Sequence, residues 1–157
     1  MKKLLFFLRG IYNGGTEVAT LNLLENLKNK YNIYFTYYDI ENSDNITINK
    51  FKELANYIPF YSKGTFDTII FCTQALKEIE QIQANFKYSK SYFWYHYYSE
   101  NQNAFLKLAL NGVCDNVITV SNTSKNKLSE FDFATSKKEK ISCTNINKVF
   151  LSKKEWF

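Results

Sequence analysis

The sequence predicts a three-layer α/β domain built on a mainly parallel sheet. Short apolar runs such as 3–8 (KLLFFL) and 67–73 (DTIIFCT) lack the polar alternation of half-exposed strands, as expected of parallel strands covered on both faces. Between such runs lie stretches with apolar residues at helical spacing. Strands alternating with helices imply βαβ units joined by right-handed crossovers. A chain of 157 residues with 45% hydrophobic content suits one domain, 1–157, with a core of its own.

Residues 3–8 form the first strand. The Met-Lys-Lys start is not read as a signal peptide, because the apolar run breaks at Arg9 and no small-residue cleavage site follows. No segment is long enough to span a bilayer. Gly14 and Gly15 allow a positive φ and a close backbone approach, Thr16 is placed to cap the next helix, and that helix opens with unpaired N–H groups that favour an anion. Along the helix, Val18, Leu21, Leu24 and Leu27 with Ala19 and Leu23 make the buried face, and Glu25, Lys28 and Lys30 the solvated one. Residues 32–38 (NIYFTYY) read as a second strand that ends at Asp39, and 42–45 as a turn. A short helix over 50–57 is stopped by Pro59, with a brief strand around 58–61. Lys63 and Gly64 turn into the strand 67–73, and 74–85 returns to helical spacing through Leu76, Ile79 and Ile82. The alternation continues with a strand over 91–98, a helix over 102–110, a strand over 116–121 and a helix over 122–130 that Ser121 or Asn122 caps. A last short strand is expected around 141–144.

Composition excludes several classes. Cys72, Cys114 and Cys143 are odd in number and widely spaced, giving neither a disulfide framework nor a CxxC metal site, so reduced buried thiols are expected. The net charge of +5 comes from lysines scattered among acids, which is a solvated surface and not a nucleic-acid stripe. Part of the excess follows Asn122, where a basic face would meet an anionic membrane or a lipid-phosphate acceptor. Aromatic residues make up 18% of the chain, a bias that coding composition explains as readily as carbohydrate stacking.

The glycine loop matches neither familiar phosphate fingerprint. Tyr12 occupies the middle glycine of a GxGxxG counted from Gly10, and no Gly-Lys-Ser/Thr follows for a P-loop. Asp39 nevertheless ends the second strand where a dinucleotide-binding domain places its ribose-binding acid, which keeps that class open. His96, the one histidine, lies in the aromatic run YFWYHYY. It reads either as an imidazole poised for a hydroxyl near neutral pH or as a ring packed among aromatics. Tyr92, Phe93, Trp94, Tyr95, Tyr97 and Tyr98 offer flat faces suited to sugar rings, of which strand alternation allows half on either side.

Four stretches in order carry a resemblance: Gly14-Gly15-Thr16-Glu17 after the first strand; the DTIIFCT strand; the lone histidine late in YFWYHYY; and the strand-serine-helix segment VITVSNTSKNKL. Together they resemble the N-terminal, acceptor-binding domain of family 4 glycosyltransferases of the GT-B fold, one Rossmann-like half. The closing KISCTNIN is similar to that domain's last strand and turn, although Ile146 stands where a glycine usually follows Asn145. The resemblance implies sugar transfer, with retention and without a metal or cofactor, from a nucleotide-sugar donor to a glycan or lipid-linked acceptor in cell-surface polysaccharide synthesis. Gly14, Gly15 and Thr16 would face the donor diphosphate, His96 the donor sugar, and Ser121 and Asn122 the acceptor or a phosphate. It also implies a cytoplasmic location at the inner face of the membrane. The donor-binding C-terminal domain of that family has no counterpart in these residues, so a missing domain or partner subunit is expected, with no activity in isolation. A non-catalytic glycan-binding or scaffolding module is the alternative on the same fold. Glu17 and Glu25 share the E-x7-E spacing of the family's donor signature, but that signature belongs to the other domain and the match is read as coincidence.

Overall fold

The computed structural model describes residues 1–72, 76–96, 114–130, 141–143 and 145–151. Its elements are β1 (Lys3–Leu8), α1 (Gly15–Leu27), β2 (Asn32–Tyr37), α2 (Asn45–Leu54), β3 (Asn56–Tyr57), β4 (Gly64–Phe71), α3 (Leu76–Asn85), β5 (Phe86–Tyr95), β6 (Asn116–Thr119), α4 (Asn122–Ser129), β7 (Ile141–Cys143) and α5 (Ile146–Leu151). The seven described strands form one sheet of order β3-β2-β1-β4-β5-β6-β7, and every pairing is parallel. This is a doubly wound, Rossmann-like α/β sheet.

Strand alternation divides the core into two layers. Leu4, Phe6 and Leu8 of β1 face α1, α2 and α5, packing with Leu23, Leu24, Leu27, Ile48, Phe51 and Phe150. Leu5 and Phe7 face α3 and α4, packing with Ile79, Ile82 and Leu128. Rings fill much of both layers: Phe35 lies 5.3 Å from Phe51 and 5.5 Å from Tyr57, and Tyr92 lies 5.4 Å from Phe150, between ring centroids.

Several local expectations are corrected. The second helix starts at Asn45, five residues early, because Asp44 caps it by accepting the Thr47 N–H at 2.8 Å. The strand expected at 58–61 is displaced to β3, whose pairing with β2 ends as the Ile58 N–H reaches the Phe35 carbonyl ahead of Pro59. β5 begins at Phe86, directly after α3, and pairs Phe86, Lys87, Tyr88 and Lys90 with Gly64–Thr68 before the expected start at Ser91 is reached. α5 replaces the expected closing turn. It is held to α1 by Asn26 donating to Asn147 at 3.1 Å, and to the turn after α1 by the Tyr31 hydroxyl donating to the Phe150 carbonyl at 2.6 Å. Tyr97, Tyr98 and the expected helix over 102–110 lie outside the described residues.

Candidate functional site

In a sheet of this order the chain leaves β1 toward one face and β4 toward the other, and ligands bind in the crevice this opens at the carboxyl ends of the strands. The β1–α1 loop on one side of that crevice is fixed by its neighbour. The Arg9 carbonyl accepts the N–H groups of Tyr38 at 3.0 Å and Asp39 at 2.6 Å. The Ile11 N–H donates to Ser43 Oγ at 2.9 Å, and the Ile11 carbonyl accepts the Asp44 N–H at 2.7 Å.

Gly14, not Thr16, is the N-cap of α1. Its backbone is extended (φ −125°, ψ 178°), and none of the four described glycines lies in the left-handed region, so the expected positive φ is not what these glycines supply. The Gly14 N–H donates to Glu17 Oε2 at 3.1 Å, half of a capping box. Gly14 has no side chain with which to complete the box. A Cβ on Gly14 would meet that carboxylate oxygen at 2.9 Å, whereas a Cβ on Gly15 would meet nothing within 4 Å. Packing therefore does not require a glycine at position 15. Thr16 is the second helical residue, half-buried, and its carbonyl accepts the Thr20 hydroxyl at 2.7 Å. The N–H groups of Gly15 and Thr16 open the helix with no partner inside it.

Glu17 turns inward and is only 6% exposed, with Thr20 fully buried behind it. Beneath them Cys72 continues β4, its N–H donating to the Phe7 carbonyl at 2.9 Å. Burial pushes the Cys72 thiol up to about 12, a hydrogen bond with Thr20 opposes that and the nearby Glu17 charge adds to it. The thiol is protonated and inert at neutral pH. Leu8, Cys72, Trp94 and Ile118 sit in one register row across β1, β4, β5 and β6 on the α1 side.

His96 stands two residues beyond Trp94, on the same side by alternation, with its ring centroid 4.3 Å from the indole. Its Nε2 is buried and has no hydrogen-bond partner among the described residues. Desolvation lowers its pKa to about 4, so the imidazole is neutral near pH 7. The aromatics around it are not sugar platforms, since Tyr92, Phe93, Trp94 and Tyr95 are all buried in the two core layers.

Ser121 settles the choice of cap for α4: its Oγ accepts the Ser124 N–H at 3.1 Å. Asn122 is the exposed first residue of that helix, which packs on the opposite face through Leu128. The fold thus gathers Gly14, Gly15 and Thr16 into one turn and puts His96 on the same face two strands away. Ser121 and Asn122 fall a strand further. Glu17, Thr20 and Cys72 went unnamed as site residues. The available signal was the glutamate at the third helical position after a glycine, which is the capping-box spacing.

Cys72 and Cys114 are buried and Cys143 half-buried, and no disulfide joins them among the described residues. Among the described residues no three His, Cys, Asp or Glu side chains are grouped to hold a metal ion, and no helix is long and apolar enough to cross a membrane.

No protein-family model matches the chain, and no curated protein matches it. Among solved structures it is similar to Anabaena Alr3699/HepE in complex with UDP-glucose, at 14% identity over 91% of this chain and 43% of that one, with a TM-score of 0.62. The complex of the same protein with UDP matches at 13% identity, with the same coverage and TM-score. The complex with UDP and glucose matches at 14% identity over 91% of this chain and 44% of that one, with a TM-score of 0.59. The chain therefore spans less than half the length of the structures it matches, and at this identity the likeness is one of fold.

Proposed function

We propose that this domain is the acceptor-binding, N-terminal half of a family 4 GT-B glycosyltransferase, moving a sugar from a nucleotide-sugar donor to a glycan or lipid-linked acceptor in cell-surface polysaccharide synthesis. The observation that carries the reading is His96. A neutral imidazole whose buried Nε2 has no hydrogen-bond partner among the described residues, at the carboxyl edge of the sheet, is suited to a sugar hydroxyl, because a buried polar atom without a partner costs its desolvation. The fold likeness to a protein crystallised with UDP-glucose supports the same donor class.

In this reading the N–H groups of Gly15 and Thr16 stabilise charge developing on the departing nucleoside diphosphate, as backbone donors at a helix start do. His96 orients the donor sugar. Asn122, exposed beside the capped Ser121, meets the acceptor or its phosphate. A second domain, in the same chain or in a partner subunit, holds the nucleotide, and the 157 residues alone do not turn over. The working location is cytoplasmic, at the inner face of the membrane.

The test is reconstitution with a donor-binding partner domain, read as sugar transfer from UDP- and GDP-sugars. His96→Ala and Gly15→Val are expected to depress transfer with the fold intact. Turnover by the isolated chain, or full activity of both variants, would sink the assignment. A thermal-shift panel covers the alternatives, since a ligand at about a hundred times its dissociation constant stabilises by about 2.7 kcal/mol. A response to glycans without any transfer would point to the scaffolding module, and a response to NAD(H) alone to a dinucleotide domain.

A further inference from the structure

We infer that Tyr12 is a specificity-determining residue that closes this fold to dinucleotides, its hydroxyl occupying on Asp39 the position at which a nucleotide ribose would be read. The inference stands apart from glycosyl transfer, because it concerns which nucleotides the carboxyl edge excludes. In a sheet of order 3-2-1-4, a dinucleotide lays its diphosphate on the glycine loop after β1 and its ribose against an acid at the end of β2. Asp39 is that acid by position.

Three features fill the ribose position from within the chain. The Tyr12 hydroxyl donates to Asp39 Oδ2 at 2.7 Å. Asn42 donates through Nδ2 to both carboxylate oxygens, at 3.0 and 3.2 Å, and through its N–H to Oδ1 at 3.3 Å. A vicinal diol would need those same two oxygens. The Tyr12 ring also lies back across Gly10, where an added Cβ would meet Cζ at 2.5 Å and Cε1 at 2.9 Å. Gly10 thus makes room for the chain's own tyrosine, where the fingerprint's first glycine makes room for the turn that receives a cofactor. The Ser43 hydroxyl donates to the Asp39 carbonyl and Ser43 also receives the Ile11 N–H, binding the loop that carries Tyr12 and the loop that carries Asp39 into one unit.

Replacing Tyr12 by glycine restores the G-x-G-x-x-G spacing over residues 10–15 and frees one Asp39 oxygen. The experiment is isothermal titration of the purified chain with NADH. Wild type should bind weakly, Tyr12→Gly roughly tenfold more tightly or better, and Tyr12→Gly/Asp39→Asn should return to the wild-type value. Tyr12→Ala, which restricts the loop more than glycine, decides the matter if the glycine variant does not fold. Equal NADH affinity in wild type and in a folded Tyr12 variant would overturn the inference, as would a gain that survives loss of the Asp39 charge. The plug is also read directly in the native chain by NMR titration of the Tyr12 ring. Its hydroxyl, raised by burial and by Asp39, should titrate nearer the ordinary tyrosine value in Asp39→Asn. An identical titration in both proteins would show that Tyr12 does not occupy Asp39.

Discussion

Protonation of His96 should be a measurable drain on folding stability in mild acid. The unfolded imidazole titrates at its ordinary 6.5, and burial lowers the folded value to about 4. Between those values the unfolded chain binds a proton that the folded chain refuses, so stability is fully present above 6.5 and declines as the pH falls toward 4. At about pH 5 the unfolded ring is almost wholly charged and the folded ring is about one-tenth charged, a difference of about 2 kcal/mol. The perturbation is His96→Phe, which keeps a flat ring against Trp94 and removes the titration. The assay is urea unfolding of both proteins at about pH 7 and about pH 5, read as the difference between them. Wild type should lose about 2 kcal/mol more than the variant over that interval. Asp39 and Asp44 do not confuse the result. Their values are lowered below 3.8, by hydrogen bonds from Tyr12 and Thr47 respectively, so they act at lower pH, and both proteins carry them. A difference that stays flat across the interval would refute the buried, neutral imidazole and with it the main support for a waiting sugar site. The same depression predicts that transfer by a reconstituted enzyme shows no limb near pH 6.5 due to His96.

Gly15→Ala should be neutral or stabilise the chain by about 0.4–1 kcal/mol in thermal or urea unfolding, because its Cβ meets nothing, yet weaken nucleotide-sugar use if a diphosphate approaches that backbone. A loss of stability would instead make Gly15 a structural glycine. Ser121→Ala should cost about 1 kcal/mol through the lost cap at Ser124, and a larger effect on acceptor affinity than on stability would give Ser121 a ligand as well. Cys72 should resist maleimide in the native chain at neutral pH and react only on unfolding, with mass spectrometry reading the labelled peptide; rapid native labelling would contradict the buried, protonated thiol. Glu17→Gln keeps an acceptor for the Gly14 N–H but removes a charge from the mouth of α1. It should tighten an anionic ligand there by roughly tenfold, measured by titration with UDP, at a stability cost of about 0.3–1 kcal/mol.

The long parallel strands were legible because burial on both faces leaves no room for polar alternation, and β1, β2 and β4 show it in sequence. The short strands β6 and β7 also fall where the sequence places them, but two other short elements do not. β3 is two residues long and owes its existence to pairing with Tyr34 and Phe35, which no local pattern announces. α5 did have a signal, since Ile146, Val149 and Phe150 repeat at helical spacing and are buried, but the stretch was assigned to a turn by resemblance. The face of α1 was misjudged by about one residue. Val18 is 54% exposed, while the buried series runs Glu17, Thr20, Leu23, Leu24 and Leu27. Its spacing is helical throughout, but its first two members are polar and escape a reading by hydrophobicity. The site residues divide in the same way. Ser121 and the glycine pair were legible as motifs, whereas Cys72 and Thr20 meet only through the pairing of β1 with β4.

The open start of α1 explains why an anion is better received on this helix than on its neighbour. α2 opens on the same edge, but Asp44 fills its mouth through both the N–H and the hydroxyl of Thr47. In α1 the corresponding cap has no side chain, and the Glu17 carboxylate reaches back to the Gly14 N–H, so the Gly15 and Thr16 N–H groups open the helix without a partner inside it. Glu17 therefore acts in two opposed ways. It favours the helix by placing negative charge at the positive end of its dipole, and it raises the electrostatic cost of bringing a second anion to the same turn. A phosphate drawn to α1 must consequently approach from the Gly15 side, away from Glu17, which is also the side open to solvent. Under the proposed sugar transfer, such a geometry would suit a diphosphate brought by a second domain better than a resident cofactor, because a leaving group has to depart once its sugar has been passed on.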